Sequence, residues 1–436
     1  MKMKGIKRRR KQVFEWLCLF LLMGLLVWVD VSKAEFEMGN KYDKTNYQQI
    51  QGMLIPSLLS WVKKGEFILQ TGRIEFEWKK DSGFMEASRQ NEGKYAIKHL
   101  GTLVDRVTGK PPKEIFGFPF PKIDPKDSKA AEKIMENNFF VGGRWGSVSG
   151  PKKITWIGRS GMERTATVTT DQLYYLSPER GGLQNPNNFS MQMMTYFIEP
   201  MQMKKSAQMF WTYNDIREDS AWAYDPSVHG VRRVSASSKS DPQGGSDFCA
   251  DDTNVWSGKN STMKWRLTGQ KTILVPFASA KKYVVPENPD RSIPRQYIYI
   301  RKGFEVPGWK GAPWCPVDVI WHPRPVWILE ATPMGPLYNY GKQVLYVDQD
   351  TFTAYFKEIY DKTGEYWKTV FVAWAYQVTP KGMDLIGSDG IFSEAIDDKA
   401  RHVTSANEER SAFVRLPLSR VGPDTFTETT MLQRLK

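Results

Sequence analysis

A chain of 436 residues, 41% hydrophobic and 25% charged, is long enough for one large or two ordinary domains and too apolar to be disordered. Its formal net charge of +13 is uneven: residues 1–34 hold eight Lys/Arg against Glu15 and Asp30, and no later basic block follows. That distribution argues against a nucleic-acid partner and leaves peripheral attraction to anionic membrane lipid.

The basic run Arg8–Lys11 precedes an apolar stretch from Trp16 to Val29, and small residues follow at Ser32 and Ala34. This is the pattern of a secretory signal peptide over residues 1–34, cleaved before Glu35, with an uncleaved anchor as the alternative. The mature chain reads as a single β domain in three parts. Residues 35–140 hold N-terminal helices, a strand and a Pro-rich connector; 141–380 hold the main antiparallel sheet; 381–436 form a polar tail. Helices are predicted over 45–64 and from Asp127 to about 137, and Ile74, Phe76 and Trp78 alternate with charged residues as in a strand. Pro111-Pro112 and Gly117-Phe118-Pro119-Phe120-Pro121 predict an extended segment across the surface or over a groove.

The centre of the chain, Met191 to Phe277, reads as a meander of alternating strands. Met191, Met193, Met209, Trp211, Tyr213 and Trp265 are candidates for one apolar, ligand-lining face, because flexible Met and wide aromatics suit variable hydrophobic partners. An ordinary core under a helix fits the same residues. Arg232 and Arg233 are predicted to brace the acidic pair Asp251 and Asp252. Cys249 and Cys315 are candidates for a disulfide in an oxidising compartment, with two buried thiols as the alternative.

The chemistry is sparse. The four His lack metal-ligand spacing, Gly158-Arg-Ser-Gly161 is followed by Met162 rather than completing a nucleophile elbow, and Gly142-Gly143 opens no dinucleotide fingerprint. No cofactor, metal or catalytic residue is implied. A binding protein is the first reading. An exported glycan-active hydrolase or lyase with an aromatic-lined cleft is the alternative, and an outer-membrane barrel a third.

Several pieces in order resemble the bacterial exported family called domain of unknown function 1329, whose members are grouped with LolA-like lipoprotein-sorting proteins. They are the Gly117–Pro121 segment, Trp222-Ala-Tyr224 with Arg232-Arg233-Val234, Asp251-Asp252, Trp265 to Gly269, Val326 to Ala331, and Tyr346-Val347-Asp348. The resemblance implies a curved, unclosed antiparallel sheet with a few covering helices. It also implies a periplasmic, non-enzymatic carrier of lipid or another hydrophobic small molecule, serving an RND-type inner-membrane transporter or outer-membrane lipid and lipoprotein trafficking.

Overall fold

About two-thirds of the described regular structure is strand, as the runs rich in β-branched and aromatic residues suggested. The computed structural model describes residues 36–98, 101–143, 146–177, 183–204, 206–225, 229–284, 298–379, 382–384, 386–387, 390–408 and 421–435. The expected signal segment 1–34 lies outside them. Residues Met38–Lys436 form one compact unit.

The N-terminal part holds short strands β1 (Lys41–Tyr42) and β2 (Leu69–Thr71), helix α1 (Pro56–Lys64), helix α2 (Ser82–Gln90), a small hairpin of β3 (Tyr95–Ile97) and β4 (Leu103–Asp105), and helix α3 (Ala130–Gly143). Pro56 opens α1 at the first turn, where its missing N–H costs nothing, and Gly65 closes it in the left-handed region. A first run of strands follows: β5 (Ser147–Gly158), β6 (Gly161–Tyr174), β7 (Phe189–Glu199), β8 (Ala207–Tyr213), β9 (Ser220–Asp225) and β10 (Gly230–Val234). A second run comprises β11 (Met263–Phe277), β12 (Tyr283–Val284), β13 (Ile320–Pro333), β14 (Gln343–Asp348), β15 (Ala354–Tyr360), β16 (Tyr366–Ala373) and β17 (Gln377–Val378). The chain ends with β18 (Phe392–Asp397), β19 (His402–Glu408) and helix α4 (Glu428–Arg434).

The described strands build one 15-stranded sheet in the order β1-β2-β13-β14-β15-β16-β18-β19-β5-β6-β7-β8-β9-β10, with β11 also paired to β13. Within this sheet all pairings are antiparallel except β2 with β13, and no ladder among the described strands joins β10 back to the other end; β3 with β4, and β12 with β17 in parallel, form separate two-stranded sheets. The fold is therefore mainly β, a large unclosed sheet with a few helices.

Three sequence expectations change. The central meander is not continuous: β7 to β10 are neighbours, but β11 lies at the other end of the sheet, and Gly269, expected as a turn, makes a bulge within it. Residues 74–78, expected as a strand, form none and bend at Glu75 and Phe76. The polar tail supplies β18 and β19, which join the two strand runs into one sheet.

Both sheet faces are covered. On one, here the α1 face, Ser57 of α1 donates its backbone N–H to Glu358 at 2.7 Å and Trp321 stacks on Phe356. Further along the same face, α4 and its lead-in cover β6 to β9 through Val421, Phe426, Met431 and Leu435. The other, the α3 face, carries α3, the loop between β10 and β11, and the cavities. α1 and α3 thus lie on opposite sides of the sheet.

Candidate functional site

Strand register decides where each candidate residue points. Met191 and Met193 pair with Tyr174 and Gln172, whose side chains turn to the α3 face. Trp265 is on that face too, in edge contact with Trp256 at 5.2 Å. Met209, Trp211 and Tyr213 are on the α1 face. There Met209 is fully buried among Met194, Tyr196, Trp222 and the α4 residues, and the Trp211 indole donates to the Phe426 carbonyl at 3.2 Å. The six residues therefore do not share a face. Half of them form ordinary core under α4, so the expectation of one ligand-lining set is corrected. The reason is local: residues of neighbouring strands share a face only when their register parity matches, and Met191 and Met193 stand opposite Thr212 and Phe210, not opposite Met209 and Trp211.

On the α3 face Met191 borders two small cavities, and Gln172, the register partner of Met193, borders a third. One of about 50 Å³ touches Met191, Tyr174 and Trp256, one of about 70 Å³ lies between Met191, Phe139 and Glu136, and one of about 110 Å³ lies between Trp156, Phe197 and Phe248. These are below the 300–1,000 Å³ typical of ligand pockets. The floor beside them is ionic. Asp252 pairs with Lys357 at 2.6 Å, both side chains fully buried, and accepts from the Tyr340 hydroxyl at 2.8 Å. Asp251 accepts from Tyr338 at 2.9 Å. Burial pushes the Asp252 carboxyl up, but Lys357 and Lys368 outweigh it and hold the group below the usual carboxylate value. For Asp251 burial prevails and the value is raised. A second buried pair, Lys239 with Asp219 at 2.6 Å, lies nearby.

The predicted bracing by arginines is corrected accordingly. Lysine and two tyrosines hold the acidic pair, while Arg233 bonds Ser220 at 3.1 Å and lies over the Trp222 ring on the opposite face. Arg232 is exposed on edge strand β10. Cys249 and Cys315 are separate buried thiols rather than a disulfide. The Cys249 sulfur accepts from Tyr340 at 3.3 Å, and burial raises both thiols' pKa.

A larger cavity lies elsewhere. A cleft of about 620 Å³ opens between the 74–79 segment, α2, the Pro-rich segment, the start of β13 and the β14–β15 turn. Its apolar wall comes from Ile74, Phe76, Trp78, Met85, Phe118, Pro121 and Phe352, and its polar side from Glu77, Lys79, His322, Arg324, Gln349 and Asp350. Each wall has a structural cause. The 74–80 segment is pinned by Lys80, paired with Asp384 at 2.7 Å, both fully buried. Phe76 packs on Tyr376 and Trp78 on Phe277, each at 5.1 Å.

The Gly117–Pro121 segment is clamped between two helices. Phe118 donates its N–H to Ser88 of α2 at 2.8 Å, and Asn137 of α3 bonds both backbone groups of Phe120, at 3.0 and 2.7 Å. Gly117 is required there: its φ is +83°, and a Cβ would sit 2.4 Å from the Ser88 nitrogen. Phe118 packs on Phe84 and Phe352, each at 4.8 Å.

Asp348, the end of the Tyr346-Val347-Asp348 motif, organises the opposite wall. It accepts from Arg324 at 2.8 and 3.1 Å, from the Tyr355 hydroxyl at 2.9 Å, and from the backbone of Asp350 and Thr351. The turn it builds holds Phe352 at φ +56°, a conformation that costs a bulky residue energy and concentrates at functional sites. Asn138 of α3 secures the Phe352 carbonyl at 2.8 Å. Sequence reading left the Pro-rich segment either across the surface or over a groove and did not identify Met85 or the 349–352 turn, which only tertiary packing brings to it.

The family profile described as "Protein of unknown function (DUF1329)" matches residues 42–431. Uncharacterized protein PA3922 of Pseudomonas aeruginosa is 24% identical over 205 residues, covering 46% of this chain; the match spans 41% of that relative's length. Among solved structures, a domain described as outer membrane lipoprotein-sorting from Vibrio parahaemolyticus is 15% identical, with TM-score 0.48, covering 70% of this chain and 100% of that one. A DUF1329 family protein from Desulfovibrio piger (15%, TM-score 0.42, covering 66% and 98%) and a LolA superfamily protein from Nitrosomonas europaea (15%, TM-score 0.41, covering 69% and 98%) are also similar. The profile match takes in nearly the whole of the described sheet, the Pro-rich clamp and the Asp348 turn, and by it this chain belongs to the DUF1329 family.

Proposed function

We propose that the protein is an exported, non-enzymatic carrier that takes lipid or another hydrophobic small molecule into the cleft between the 74–79 segment and the Phe352 turn. The observation that carries this reading is the cleft itself. Its 620 Å³ falls in the range of ligand pockets, and its wall is aromatic and aliphatic with a polar side to orient the guest. Each methylene buried there contributes about 0.8 kcal/mol before ordering costs. The glycan-active alternative needs one carboxyl kept protonated as a general acid. Of the two carboxylates lining the cleft, Glu77 is held below its usual value by Lys79, and Asp350 is ion-paired with Arg324. The carrier would act in the periplasm and hand its guest to an RND-type transporter or to the outer membrane.

Binding of the apolar probe N-phenyl-1-naphthylamine tests this reading. Wild-type protein should enhance its fluorescence saturably, and Phe76→Glu together with Met85→Glu should abolish the enhancement while leaving the far-UV spectrum intact. Both residues are partly exposed, so the change should not unfold the chain. Undiminished binding by the folded double variant would move the site elsewhere. Export is tested separately: N-terminal sequencing of the periplasmic protein should begin at Glu35, and an intact Met1 in the membrane fraction would replace export by anchoring.

A further inference from the structure

Resting on the carrier reading, we propose that the cleft selects an uncharged, hydroxyl-bearing hydrophobe, such as a long-chain alcohol or an acylglycerol, over a fatty acid or another anionic lipid. The polar side of the cleft carries the argument. Two cations line it, and each already has a carboxylate partner. Arg324 is held bidentately by the buried Asp348 and bonds Asp350 at 2.6 Å through Nη2; Lys79 is paired with Glu77. A carboxylate or phosphate guest would therefore find both lining cations already charge-compensated, Arg324 by two carboxylates and Lys79 by one. It would also lie beside two like charges, Asp350 and Glu77, which disfavour it.

His322 supplies the complementary preference. Its Nδ1 lies 2.9 Å from the Gly72 carbonyl oxygen, which can only accept, so Nδ1 carries the proton. Burial lowers the ring's pKa and keeps it neutral. Nε2 is then a lone-pair acceptor, suited to a hydroxyl donor and repelled by an anion. A hydroxyl can in return accept from the Arg324 Nη1 group, which has no partner among the described residues. The apolar wall holds the tail in either case, so selection rests on the head.

Competition against N-phenyl-1-naphthylamine, with full-length mature protein at pH 7.5, reads this directly. Hexadecanol should displace the probe at about tenfold lower concentration than palmitate, the size expected from one or two partly screened like-charge contacts. In Glu77→Gln with Asp350→Asn, both exposed side chains, Lys79 is released and Arg324 loses one carboxylate; the preference should shrink or reverse through tighter palmitate binding. Palmitate displacing as well as hexadecanol from the wild type would overturn the selectivity and leave the carrier reading standing. An unchanged ratio in the double variant would equally overturn it. If the wild type binds neither the probe nor either competitor, the carrier reading itself falls, and the selectivity with it.

Discussion

Met191 and Met209 look alike in the sequence, yet one borders cavities on the α3 face and the other is locked under α4. Placing a charge at the second should therefore unfold the protein rather than tune binding. Met209→Glu is expected to lose at least about 3 kcal/mol in urea unfolding, from an unpaired buried charge and lost packing, whereas Phe76→Glu should keep its midpoint. The buried Asp252–Lys357 pair makes a second residue-scale prediction. Lys357→Met leaves a carboxylate unpaired and should cost about 3–5 kcal/mol, while adding Asp252→Leu should recover much of that. Since the folded Asp252 pKa is below its unfolded value, its stabilising contribution holds above about pH 4 and is lost as pH falls through the folded value. Glu136 behaves oppositely. Burial raises its pKa to about 7, with the Asn260 amide drawing it back. Its folded state binds the proton more tightly, so this contribution is complete below about pH 4.5 and is lost as pH rises to 7. Melting curves between pH 5 and 8 should fall more steeply for wild type than for Glu136→Gln, by about 1–3 kcal/mol over the window.

At the scale of elements, the last 16 residues matter more than their composition suggests. Val421, Phe426, Met431 and Leu435 are buried against β6 to β9, each contributing roughly 1.5–3 kcal/mol. Removing residues 421–436 should therefore leave an aggregating or protease-sensitive chain, and a truncated protein melting cooperatively at the wild-type temperature would show that α4 is dispensable. Most strands were legible from alternation, because β6, β8 and β11 have clear apolar and polar sides. β18 and β19 were not, and the reason is physical. Their Glu394, Ser405 and Asn407 are all buried, so no solvent face imposes a period-two pattern. Thr404 bonds Asp247 at 2.7 Å and Asn407 bonds the Ile300 carbonyl at 2.8 Å, both reaching segments distant in sequence. The edge position of β11 was hidden for a related reason: pairing partners more than 40 residues apart leave no local trace.

Across the whole molecule, the cleft is where two of the family-like segments meet. The Gly117–Pro121 clamp and the Asp348 turn form opposite walls and meet at the Phe118–Phe352 contact of 4.8 Å. The sequence pointed to the Met-rich strands because composition reports which residues are apolar, not which of them are covered. Those strands prove tightly packed on one face and bounded by small cavities on the other, and the open volume lies beside the Pro-rich segment instead. The most direct test of the account is mass spectrometry of organic extracts from protein purified out of the periplasm without detergent. Wild-type protein should release about one hydrophobic molecule per chain, and the folded Phe76→Glu, Met85→Glu variant should release little. Wild-type protein that extracts clean, or a variant that retains its full load, would contradict a carrier built around this cleft.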